Sequence, residues 1–356
     1  VTRTITTPRR TRAAGLLAAV AATALLLSAC SSDEGATEAG ATSGGAESFD
    51  AVSVQLSWLK NQQFAGEYLA VEDGLYTDAG FPEVTLTAGG SSATSAEAAV
   101  ATGQAFVGLS SPLITAPAIQ GGAELKIVGA TYQRNPFALV SAASAPIAGP
   151  EDLAGTTIAV SDSNTLVWNA FLAANDIDPT SLTTVPLSDT SMLTTGQVDG
   201  LIGYTTTGAA ALTAAGFEAT EFLLADEGLP MVGEVLVTSQ EAIDTKPEQV
   251  KAFLLATAQG WAAALADPAR AVDLTVNEYG KEQQYDADAI TLSFDRQATL
   301  VESDETAANG LLTVSDELQQ GTIDSLAFAG VDITAEELFD LSLLDEVYAE
   351  NPDLLQ

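Results

Sequence analysis

Trp58, Phe64, Tyr68, Trp168 and Tyr204 offer aromatic faces, and Glu234 offers a carboxylate within the strand-like run 233–237. An aromatic face stacks on a flat ring for about 0.5–1.5 kcal/mol beyond simple burial, and the same side chain otherwise packs a core. Glu234 can accept a hydrogen bond from a ligand amine, or sit solvated at a strand edge. Asn61 and Gln62 add amides. Gly90 and Ser91, Ser110 and Ser111, and Ser161, Asn164 and Thr165 stand where predicted loops run into predicted helices. Free backbone N–H groups there can receive an acceptor, and the same residue types also serve as ordinary helix caps. Such groups bind a small molecule without forming covalent bonds to it. The sequence has no histidine and a single cysteine, Cys30, which removes Ser-His, Cys-His and His-metal schemes. No cofactor or metal is expected. Carboxylate-only chemistry has no motif to support it.

These residues need a scaffold, and the pattern supplies one. Runs 52–56, 84–86, 106–109 and 125–128 read as strands. Between them, 64–72, 95–101 and 113–119 read as helices. A second set follows, with strands over 157–160, 183–185 and 200–203 and helices over 165–174 and 209–215. The runs 137–140 and 233–237 read as strands that bridge the two units. From Pro247 onward the chain is mostly helical, and the stripe Val250, Phe253, Leu254, Ala258 and Trp261 marks a core-facing helix. Alternating strand and helix predicts open α/β sheets in two lobes, with ligand sites at strand carboxyl ends and between the lobes.

Arg3, Arg9, Arg10 and Arg12 precede an apolar run over 13–27. That run is too short to span a bilayer comfortably and reads as an export signal. It ends in Leu27-Ser28-Ala29-Cys30, which resembles a bacterial lipobox. The resemblance implies a signal peptide over 1–29, lipid modification of Cys30, and attachment to the outer face of a cell membrane. Residues 30–48, rich in Ser, Gly, Ala and Thr, read as a flexible tether. The formal charge of −36 becomes −40 without residues 1–29, with 8 basic residues against 48 acidic ones. That balance argues against a nucleic-acid partner and suits a solubility surface.

The ordered series Trp58-x-x-Asn61-x-x-Phe64-Ala65-Gly66-x-Tyr68-x-Ala70, Gly74-Leu75-Tyr76, Tyr132-Gln133-Arg134-Asn135-Pro136-Phe137, Glu151-Asp152-Leu153-Ala154-Gly155 and Val198-Asp199-Gly200 carries a resemblance. It resembles ABC-importer substrate-binding proteins of the sulfonate, nitrate and thiamine-pyrimidine-precursor family over roughly residues 50–300. The resemblance implies a type II periplasmic-binding-protein fold. One lobe spans 49–136 plus 239–356, the other 137–238, and two crossover strands join them. It also implies a monomer that closes on a small molecule and hands it to a permease with its ATPase. It points to Trp58 and Tyr68 for ring stacking, and to the Ser161–Thr165 loop and Tyr204 for further contacts. Thr205-Thr206-Thr207 stand where the family often has an Asn near Tyr204. A thiamine pyrimidine precursor is the favoured ligand. Riboflavin and a sulfonate- or nitrate-type anion are the alternatives. Enzymatic relatives in the same branch use a His and a Cys-rich motif, both missing here, so no enzyme is expected. A surface adhesin or sensor on the same fold is a third reading.

Overall fold

The computed structural model describes residues 48–90 and 92–355. The export signal, Cys30, the tether up to residue 47, and Ser91 lie outside the described residues.

Apolar four- to six-residue runs form two five-stranded sheets. In the first, β1 (Val52–Gln55) pairs in parallel with β2 (Val84–Thr87) and β3 (Val107–Ser110). β4 (Leu125–Ala130) forms the far edge. In the second, β6 (Thr157–Val160) lies between β7 (Thr183–Pro186) and β8 (Gly200–Tyr204), all parallel. β5 (Phe137–Ala142) runs antiparallel between β8 and β9 (Ala219–Leu223). β10 (Val235–Ser239) returns to the first sheet and inserts antiparallel between β3 and β4. The two predicted bridging runs are therefore sheet members, and the chain crosses between lobes just before each.

The crossings bind each other. Thr131 N donates to Glu234 O at 2.8 Å, and Gly233 N donates to Tyr132 O at 2.9 Å. A side chain on Gly233 would meet the Tyr132 Cβ at 2.7 Å, so only glycine allows this approach.

The first lobe packs Phe64, Tyr68, Phe253 and Trp261 into one fully buried cluster. Burying each large side chain contributes about 2–3 kcal/mol. The helix Ala65–Glu72 lies tight against the 20-residue helix Pro247–Ala266 because two glycines face each other's helix. A Cβ on Gly66 would meet Trp261 Cδ1 at 2.3 Å, and one on Gly260 would meet Gly66 O at 2.2 Å.

The C-terminal helices have a structural task. Phe339 forms a parallel bridge to Ile127, and Asp340 N donates to Ile127 O at 2.9 Å. Ala130 N donates to Leu312 O at 2.9 Å. The tail thus covers the open edge of β4, a usual place for unwanted strand pairing. The helix Ala287–Val301 touches both lobes: the turn Gln62–Phe64 on one side, and the helix Ala210–Ala214 on the other.

Candidate functional site

Both sheets point the same functional ends toward the crossings. Ser57 and Trp58 follow β1, Ser110 ends β3, Tyr204 ends β8, and Glu234 immediately precedes antiparallel β10, where Val235 pairs with Ser110. This is the strand-end location at which open α/β sheets place ligands.

Glu234 is the centre of the arrangement. It is only 1% exposed. Ser57 donates its hydroxyl to Glu234 Oε1 at 2.6 Å, and Gln63 donates its amide to Glu234 Oε2. Burial pushes the carboxyl up to about 8; the two hydrogen bonds pull it back, and the nearby acids Glu67 and Glu97 push it further up. At neutral pH the group is mostly a carboxylic acid, able to donate one hydrogen bond and accept others.

Polar groups continue around it. Tyr132 donates its hydroxyl to Gln297 Oε1 at 2.8 Å, and Gln297 donates its amide to Gln62 O at 2.9 Å. Burial, with the Glu234 charge next, raises the hydroxyls of both Tyr132 and Tyr204. Gln62 Nε2 is buried with no partner in the protein, an uncommon and costly state that a bound acceptor would relieve.

The expected site residues fall into three groups. Trp58, just after β1, is 45% exposed. Tyr204 is half-buried, with Phe137 edge-on at 4.6 Å between centroids. Gly90 takes φ +126°, which favours glycine, and the Leu59 side chain lies against it. Ser111, Ser161, Asn164 and Thr165 have partly or fully exposed positions at helix starts. Ser161 Oγ lies 3.0 Å from Ser163 Oγ, and Thr165 Oγ1 donates to Ser161 O at 3.4 Å.

A second group is committed to the protein itself. Asn61 caps the Gln62–Phe64 turn, its Oδ1 accepting from Gln63 N at 2.9 Å. Ser110 donates to the buried carboxylate of Glu97, which also accepts from Thr115 at 2.9 Å.

The third group consists of rings that other side chains already cover. Phe64 has no exposed surface and belongs to the first core. Tyr68 is fully buried and stacks on Tyr279 with centroids 4.0 Å apart and planes 8° apart. Trp168 stands inside the second lobe: its indole N–H donates to Thr184 Oγ1 at 3.1 Å, and it stacks on Phe171 at 5.6 Å. The expected cleft-facing ring at 168 is thus an interior ring, because its helix turns position 168 inward with Val167 and Phe171.

Residues 61–271 match the model of the NMT1/THI5-like family. The chain belongs to this family. Riboflavin-binding protein RibY of Chloroflexus aurantiacus is 27% identical over 320 residues, covering 86% of this chain and 90% of RibY. The putative periplasmic sulfonate-binding protein SsuA of Methylobacillus flagellatus superposes with TM-score 0.66 at 14% identity, over 87% of this chain and 96% of that one. The periplasmic nitrate-binding protein NrtA of Synechocystis gives TM-score 0.60 at 12% identity, over 86% and 91%. These superpositions establish the type II periplasmic-binding-protein fold.

Ser57, Gln63, Tyr132 and Gln297 complete the polar set of this NMT1/THI5-like chain and escaped the sequence reading. Ser57, Gln63 and Tyr132 sit within or beside the stretches that carry the resemblance. Ser57 and Gln63 meet Glu234, and Tyr132 meets Gln297, each partner remote in sequence. Gln297 lies on a helix with an apolar buried stripe, Ile290, Phe294 and Leu300, and periodicity alone gives a polar member of that face no separate mark.

Among the described residues, no group of three His, Cys, Asp or Glu side chains is placed to hold a metal ion. No described helix is long and apolar enough to cross a membrane.

Proposed function

We propose that this chain is the extracytoplasmic solute-binding subunit of an ABC importer and has no enzymatic role. It takes a small heteroaromatic solute between its lobes and delivers it to a permease. It works as a monomer, anchored through a lipid on Cys30. The observation that carries this reading is the buried carboxyl of Glu234, held by Ser57 and Gln63 where the chain crosses between the two sheets. A neutral acid flanked by amides and hydroxyls matches the alternating donors and acceptors along the edge of an uncharged heterocycle. Trp58 supplies an exposed ring at the same strand ends.

An anionic solute fits less well. All three arginines after residue 29 are paired with acids: Arg134 with Asp226, Arg270 with Asp73 and Arg296 with Glu221. None is left to fork onto a sulfonate or nitrate.

Within the heteroaromatic class, an aminopyrimidine of the thiamine-precursor type suits the Glu234 acid. Riboflavin is the second reading, and the 27% identity to a riboflavin-binding protein over most of both chains favours it. Titrating the mature chain with an aminopyrimidine, riboflavin, taurine and nitrate separates the classes. Trp58 is the exposed tryptophan and the other two are interior, so fluorescence quenching reports mainly on it. Saturable quenching by a heteroaromatic supports the reading, and tight binding of taurine or nitrate alone overturns it. Recovery of Cys30→Ala protein in the membrane fraction would overturn the lipid anchor.

A further inference from the structure

Arg296 and Gln297 are neighbours on the helix Ala287–Val301, yet they face different lobes. Gln297 turns to the first, where it meets Tyr132 and the Gln62 carbonyl. Arg296 turns to the second. Its Nη1 donates to Thr205 O at 3.3 Å and to Thr205 Oγ1 at 3.1 Å, and it pairs with Glu221 Oε1. The Thr205 hydroxyl donates to the same Glu221 oxygen at 2.9 Å.

This is the most enclosed of the three arginine pairs. The Arg296 and Glu221 side chains are 25% and 23% exposed, whereas Arg134 and Arg270 are 40% and 41% exposed. Thr205 follows Tyr204, whose hydroxyl feels the Glu234 charge. It opens the π-helical turn Thr205–Ala209, and its N–H donates to Pro136 O at 2.9 Å, at the start of the second lobe. A π-helical turn is a frequent mark of a functional position.

We propose that Arg296 is a positioning residue. It fixes the Tyr204–Thr205 corner of the second lobe to the wall of the first, and so holds the cleft closed around the solute. The proposal rests on the solute-binding reading above. Glu221 Oε2 is already buried without a partner, so loss of Arg296 leaves that carboxylate without its cation. The penalty falls on the state in which the lobes are locked together, and therefore on solute release more than on capture.

The test compares wild type, Arg296→Ala, Arg296→Lys and Glu221→Gln by stopped-flow dissociation of the heteroaromatic solute that wild type binds, by thermal unfolding, and by small-angle scattering of solute-free protein. Arg296→Ala should release solute roughly tenfold faster, with association changed far less. Arg296→Lys keeps the charge on a differently shaped head group that cannot reproduce all the Nη1 contacts, and should fall between. Solute-free Arg296→Ala should show a larger radius of gyration than wild type. A purely structural pair would lower the unfolding temperature with release and radius unchanged, and that result would overturn the proposal. Should wild type bind no heteroaromatic, the functional reading fails, and the scattering comparison still decides the role of Arg296: equal radii reject it.

Discussion

Gln63 donates its side-chain amide to the Glu234 carboxyl although 171 positions separate them in sequence. The contact joins the helical turn after β1 to the second crossing between lobes. It places a buried acid at the ends of the strands, where burial pushes the carboxyl up to about 8 against the opposing pull of the Gln63 hydrogen bond.

The first prediction concerns pH. Burial raises Glu234 to about 8 and Glu67 to about 7, from a shared ordinary value of 4.5. Between about pH 4.5 and 8 the folded chain therefore holds protons that the unfolded chain has released, so stability falls as pH rises through that window. Denaturant midpoints should decline from pH 5 to pH 8. Glu234→Gln, neutral throughout, should decline less steeply; a slope equal to wild type would reject the assignment to Glu234.

A second prediction concerns the exposed ring. Trp58→Ala should weaken heteroaromatic binding about tenfold, since about 1.4 kcal/mol is one decade. Its unfolding temperature should barely move, because the side chain is 45% exposed. Unchanged affinity in the calorimeter would remove Trp58 from the site.

Gly66→Ala tests the packing of the first lobe. The added methyl would sit 2.3 Å from Trp261 Cδ1, so the two helices must separate. Overpacking of this kind costs about 1–3 kcal/mol, and thermal unfolding should register it as a drop of several degrees. A variant as stable as wild type would show that the helices are not in close contact.

The scaffold was legible because strand and helix periods alternate cleanly from 52 to 215, and because Trp261 lies on a plain apolar stripe. β9 was not read: Ala219–Leu223 is half-buried throughout and shows no period-two contrast. Trp168 was misdirected because a ring three residues past a loop can turn to either side of its helix. The local sequence does not reveal that Phe171 and Thr184 receive it. Glu234 was legible as a candidate, whereas its partners Ser57 and Gln63 were not, because their meaning depends on a tertiary contact.

The C-terminal tail also yields a prediction. Removing residues 331–356 would uncover Ile127 and its neighbours on the β4 edge, where Phe339 and Asp340 now pair. The truncated chain should associate at concentrations where the full chain stays monomeric, as sedimentation velocity would show. Monomeric behaviour of both would mean that the edge needs no cover.

The most direct test of the central claim is the affinity of Glu234→Ala for the bound heteroaromatic, measured by titration calorimetry beside wild type at one pH. With Glu234 at the centre of the site, the variant should bind at least about tenfold more weakly while its secondary structure is retained. Equal affinity in the two proteins would place the solute elsewhere and contradict the account.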